Sequence, residues 1–141
     1  MLVTPKTNGG KILAMDDERY IRAITAGMLS SLGYEVATAT DGSEAVEMYR
    51  EAVDSGEPYD AVILDLSVHT GMGGKKTIQR LMEIDPEVRA IASDIYSNTI
   101  VAGFRDHGFR GFVGKPYGIK QLDEALHRVI PRKYRTDNHS R

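Results

Sequence analysis

The run "AVIL" at 61–64 is four consecutive apolar residues with no polar alternation. A strand with one face in water alternates; a strand covered on both faces does not, and such strands belong to parallel sheets flanked by helices. Four further runs have strand character: "KILAM" (11–15), "YEVATA" (34–39), "VRAIA" (88–92) and "GFV" (111–113). Each is followed by a segment whose apolar residues recur at helical spacing. Five strand–helix units with short connections predict a parallel α/β sheet with helices on both faces.

The helical segments have readable faces and ends. The first sets Ile21, Ile24, Met28 and Leu32 on one stripe and closes at Gly33, a residue able to take the positive φ of a helix end. Glu35 in the second strand indicates an edge position. Asp41 and Glu44 form an acidic capping box for a helix with Ala45, Val46, Tyr49, Ala52 and Val53 inward, stopped by Gly56 and Pro58. The third helix carries Ile78, Leu81 and Met82 and ends near Asp85-Pro86. A weaker helix spans roughly 98 to 107, anchored by Ile100, Val101 and Phe104. The last places Ile119, Leu122, Leu126, Val129 and Ile130 on one stripe.

The 141 residues suit one compact domain over 11–130, with a flexible lead-in at 1–10 and a polar tail at 131–141. A net charge of −2 gives no general pull toward nucleic acid or membrane. The absence of cysteine removes disulfides, thiolate metal sites and thiol nucleophiles, and suits a cytoplasmic location. No apolar run approaches the length of a membrane span, and the first ten residues do not read as a signal peptide.

"GMGGKKT" (71–77) invites a nucleotide reading and fails it. A Walker loop needs G-x-x-x-x-G-K followed by Ser or Thr, so that backbone N–H groups wrap phosphates and the hydroxyl meets magnesium. Here Lys76 occupies the hydroxyl position and His69 the first glycine position. The strand ends carry more information. "KILAM" runs into Asp16-Asp17-Glu18, "AVIL" into Asp65, "AIA" into Ser93-Asp94 and "FVG" into Lys115-Pro116. In a parallel sheet these ends share one edge, where ligands bind. The edge then gathers three carboxylates, a hydroxyl and an ammonium. Unit charges about 4 Å apart repel by roughly 4 kcal/mol at an effective dielectric of 20, so clustered carboxylates favour a cation. Oxygen-only ligands suit magnesium rather than zinc. A carboxylate beside such a cation can attack a phosphoryl group to give an acyl phosphate.

Taken together, "ILAMDDERYIR", "VILDLSVHTGMGGKKTI", "AIASDIYS" and "GFRGFVGKPY" resemble a response regulator receiver domain of two-component signalling, over about 11 to 130. The resemblance is to receivers of hybrid histidine kinases or single-domain regulators. It implies a flavodoxin-like doubly wound fold with strand order 2-1-3-4-5. It also implies that Asp65 accepts a phosphoryl group from a phosphohistidine on a histidine kinase or histidine phosphotransfer domain. Magnesium, with manganese as an alternative, would be held by Asp16, Asp17, Asp65 and the Ser67 backbone carbonyl. Lys115 and Ser93 would bind the phosphoryl group, Ser93 and Phe112 would act as the switch pair, and the Lys115–Pro116 bond would be cis.

Several residues depart from the commoner pattern. Asp94 stands where a small residue is usual, and either adds charge near the phosphoryl site or caps toward solvent. Phe112 lacks a tyrosine hydroxyl and can report its position only through packing. His69 reads as an exposed loop residue, and Ser67 as a modulator of water access. The chain is expected to catalyse its own magnesium-dependent phosphorylation and dephosphorylation without being a dedicated enzyme. No output domain is recognisable after residue 130. Output is therefore expected through a partner protein on the face from the fourth strand to the last helix, with weak homodimerisation left open, or within a larger protein. Two alternatives compete: a pseudo-receiver acting as an unphosphorylated interaction module, and a phosphatase. The latter is disfavoured because Ser67, not an acid, stands two residues after Asp65.

Overall fold

The computed structural model describes residues 9–68, 71–95 and 97–131. Five strands, β1 (Lys11–Met15), β2 (Glu35–Ala39), β3 (Ala61–Asp65), β4 (Ala90–Ile95) and β5 (Gly111–Lys115), form one parallel sheet in the order β2-β1-β3-β4-β5. Among the described residues five helices join or follow them: α1 (Arg19–Ser31), α2 (Gly42–Asp54), α3 (Gly74–Ile84), α4 (Asn98–Gly103) and α5 (Ile119–Val129). This is the doubly wound, flavodoxin-like arrangement that the family resemblance implies.

Strand alternation separates two cores. Leu13, Met15, Val62, Leu64, Ala90 and Ala92 face α2 and α3, where Tyr49, Ile78 and Leu81 pack. Ile12, Ala14, Ile63, Ile91 and Val113 face α1 and α5, against Leu29, Leu122 and Leu126. β3 is buried along its whole length, which is why "AVIL" shows no alternation.

The structure corrects several faces. α1 buries Thr25 and Leu29, while Ile24 is 52% exposed and Ile21, Met28 and Leu32 are only half-buried. The inward face is rotated about one position from the apolar stripe, because a buried hydroxyl is invisible to an apolar-periodicity reading. Val53 and Ile119 lie at the exposed margins of otherwise buried stripes, and Met82 is half-buried. β4 begins at Ala90 rather than Val88, and Tyr34 is buried just outside β2. The weak fourth helix divides into α4 and a 3-10 turn, Phe104–His107, with none of its three anchors fully buried. The Asp41–Glu44 cap is present with one shift. Glu44 N–H donates to Asp41 Oδ1 at 3.0 Å, and the Glu44 carboxylate accepts from Thr40 N–H at 2.7 Å.

Candidate functional site

Register brings the polar residues together. Met15 is aligned with Leu64, so Asp16 and Asp65 follow one step later on adjacent strand ends. Asp65 is aligned with Ser93, and in-register parallel partners project to the same face. β5 ends at Lys115, aligned with Ile95 of β4. The strand order reverses between β1 and β3, the place where open α/β sheets bind ligands.

Asp16, Asp17 and Asp65 each offer an oxygen, and the three oxygens lie within 4.8 Å of one another. Lys115 Nζ donates to Asp16 Oδ2 at 2.9 Å and lies 3.2 Å from Asp65 Oδ2. Asp65 is 2% exposed and Asp16 6%. Asp65 Oδ1 accepts from both the Ser67 N–H, at 3.0 Å, and the Ser67 hydroxyl, at 2.8 Å. Ser93 is 2% exposed, and its Oγ has no hydrogen-bond partner among the described residues. Burial, with the Asp65 charge adding to it, holds the Asp16 carboxyl above its usual range against the opposing pull of Lys115 and the Glu18 N–H. For Lys115, burial pulls the ammonium down, but the Asp16 hydrogen bond and both carboxylate charges leave it above its usual range. The lysine is therefore a fixed cation at neutral pH.

A response regulator receiver domain model matches residues 12–127. The chain belongs to the response regulator receiver family. This receiver is 33% identical over 123 residues to the chemotaxis protein CheY of Thermotoga maritima, covering 86% of this chain and 98% of that protein. It is 27% identical to sporulation initiation phosphotransferase F of Bacillus subtilis, covering 87% and 95% of the two chains. The solved structure of CheY4 from Vibrio cholerae superposes with a TM-score of 0.75 at 27% identity, over 86% of this receiver and 98% of that chain.

The remaining candidate residues occupy varied positions. Phe112 is half-buried on β5 and stacks on Phe104, ring centroids 6.1 Å apart. Asp94 is half-buried at the far end of β4, with Oδ1 accepting from Ile95 N–H at 2.7 Å. It stands outside the Asp16–Asp17–Asp65 group. His69 lies outside the described residues. The Lys115–Pro116 bond is cis. "GMGGKKT" forms the last part of the β3–α3 loop and the first turn of α3, with Gly71 at φ 75° and Lys75 and Lys76 exposed.

Three residues near the site were not read from the sequence. Arg22 Nη1 donates to the Asp16 carbonyl oxygen at 2.8 Å. The Thr25 and Tyr117 hydroxyls are hydrogen-bonded at 2.6 Å. Burial pushes the Tyr117 phenol above its usual range, so it is a neutral hydroxyl at physiological pH. A lone Arg or Thr on a helix carries no local signal for such contacts. The donation of Ser67 to Asp65 follows the familiar short-range turn in which an Asp side chain accepts from the residue two ahead.

Proposed function

We propose that this receiver accepts a phosphoryl group on Asp65 from a phosphohistidine of a histidine kinase or phosphotransfer domain, and that this modification switches a protein-interaction surface. The observation that carries the reading is the buried Asp65 carboxylate, with the Lys115 ammonium at 3.2 Å and the unpartnered Ser93 hydroxyl on the adjoining strand. A carboxylate, a cation and a spare donor are what an in-line phosphoryl transfer to an oxygen nucleophile requires.

The residues also fit a hard divalent cation. Ligand distances of about 2.1 Å place opposite oxygens about 4.2 Å apart, close to the 4.8 Å spread of Asp16, Asp17 and Asp65. These three, with the Ser67 carbonyl, would hold magnesium or manganese. When bound, such an ion supplies positive charge beside the phosphoryl oxygens.

In the transfer, an Asp65 carboxylate oxygen forms the bond to phosphorus. The phosphorus–nitrogen bond breaks and its electron pair leaves with the imidazole, which departs neutral when its other nitrogen carries a proton. Ser67, donating twice to Oδ1, orients the carboxylate. Lys115 offsets the charge of the transferred oxygens, and Ser93 donates to one of them. Ser93 then moves toward the phosphoryl group, and Phe112 repacks against Phe104. This biases a pre-existing equilibrium of the face from β4 to α5, which meets the downstream protein. Hydrolysis of the acyl phosphate resets the switch. In this reading Asp94, which accepts from its neighbour's N–H, and Ser67 tune the lifetime of the phosphoryl group. The same reading puts the protein in the cytoplasm, and no helix among the described residues is long and apolar enough to cross a membrane.

The test is incubation with magnesium and a small acyl-phosphate donor, read by intact mass. Wild type should gain one acid-stable, base-labile phosphoryl group and Asp65→Asn none. An unlabelled wild type, or equal labelling of Asp65→Asn, would overturn the reading in favour of an unphosphorylated interaction module.

A further inference from the structure

The two loops that frame the site come from opposite ends of the chain, Asp16-Asp17 after β1 and Pro116-Tyr117 after β5. Both are tied to one helix. Arg22 of α1 donates from Nη1 to the Asp16 carbonyl at 2.8 Å. Three residues further along, Thr25 Oγ1 meets the Tyr117 hydroxyl at 2.6 Å. Residues three apart lie on the same side of a helix, so one edge of α1 reaches both loops.

The residue types are more specific than packing needs. A buried threonine on a helix ordinarily returns its hydroxyl to the carbonyl of the preceding turn. Thr25 is 3% exposed, and its hydroxyl instead meets a side chain 92 residues away. Valine would fill the same volume, and phenylalanine would supply the ring of Tyr117. The two hydroxyls therefore serve each other. Tyr117 is two residues beyond Lys115, whose flexible four-carbon stem has to bring Nζ onto Asp16 and Asp65 together. Pinning the chain just after the lysine reduces the positions its ammonium can sample.

We propose that Arg22 and Thr25 of α1 are positioning residues for phosphoryl transfer, Arg22 holding the Asp16 loop and Thr25, through Tyr117, holding the Lys115 loop. They set the separation between the acidic and cationic halves of the site without touching the phosphoryl group. The inference rests on the phosphoacceptor reading of Asp65. An α1 edge that holds both loops also makes the site responsive to anything that shifts α1.

The test compares Thr25→Val, Tyr117→Phe, the double variant and Thr25→Ser for the rate of Asp65 labelling by an acyl-phosphate donor at saturating magnesium. Each single variant should label about fivefold to tenfold more slowly, since small displacements of a charge-stabilising group are costly to a transition state. The double variant should be no slower than the slower single, because both remove one contact. Thr25→Ser should recover at least half the wild-type rate. Arg22→Gln, which shortens the reach to the Asp16 carbonyl, should raise the magnesium concentration for half-maximal labelling at least threefold, whereas Thr25→Val should leave it within twofold. Tyr117→Phe keeps the ring, so its rate can be read even where Thr25→Val lowers the melting temperature. Labelled wild type with single variants within twofold of it, multiplicative losses in the double variant, failure of serine to rescue, or an unmoved magnesium requirement in Arg22→Gln would overturn the inference alone. An unlabelled wild type would instead remove the phosphoacceptor reading on which it stands.

Discussion

The Ser93 hydroxyl is buried beside Asp65 without a partner among the described residues. Burying a hydroxyl without a hydrogen bond is costly, and deleting one that makes no bond removes that cost. Ser93→Ala should therefore melt at or up to about 3 °C above wild type in chelator, while labelling Asp65 more slowly; a lower melting temperature by calorimetry would mean that the hydroxyl is paired in solution. Asp16 differs in that its cost depends on pH. Its carboxyl is held above its usual range, so the folded state binds the proton more tightly than the unfolded chain. That contribution favours the fold at low pH and is lost as pH rises through the raised folded value. Asparagine resembles the neutral form. In chelator, Asp16→Asn should thus gain stability relative to wild type on going from acid to neutral pH, and melting curves with a constant difference across that range would contradict the assignment.

Among the elements, the glycines at the helix starts separate close packing from simple flexibility. A Cβ on Gly42 would collide with Thr77 Oγ1 and approach the Met72 carbonyl oxygen at 2.8 Å, so α2 begins with its backbone pressed on the start of α3. Gly42→Ala should destabilise by about 1–3 kcal/mol, the usual range for overpacking. Gly27, inside α1, has nothing within 4 Å of the same position. Gly27→Ala should stabilise by about 0.8 kcal/mol through helix propensity. Urea unfolding of the pair measures both, and the same sign for the two would defeat the packing argument. Gly74 in "GMGGKKT" belongs with Gly42: its Cβ would lie 2.7 Å from Leu66 Cδ2 and 3.0 Å from the Asp65 carbonyl oxygen. The glycine that looked like part of a nucleotide cradle lets α3 start directly against the strand that carries the candidate phosphoacceptor.

At the level of the whole molecule, a cation held by the acidic cluster would link ligand binding to stability. A cation that binds only the folded chain stabilises it by about 2.7 kcal/mol at one hundred times its dissociation constant. Magnesium should therefore raise the melting temperature of wild type in a concentration-dependent way and that of Asp65→Asn much less. An equal rise in both would place the ion elsewhere. Lys115 works in the same direction as folding: its ammonium is held above its usual range, so its contribution is present at neutral pH and lost only as alkaline pH passes through the raised value.

The succession of strands and helices along the chain, the fully covered β3 and the strand-end residues Asp16, Asp17, Asp65, Ser93 and Lys115 were legible in the sequence. Each leaves a local mark there, as an apolar run, a helical period or a polar residue where a run stops. Tertiary structure decided what lies between distant segments. It turned the inward face of α1 to Thr25 and Leu29, seated Lys115 between two carboxylates, left the Ser93 hydroxyl unpaired and joined Thr25 to Tyr117 across 92 residues. Periodicity records which residues avoid water. A hydrogen bond between two side chains depends on where both backbones have been placed, and no local pattern of residue types carries that information.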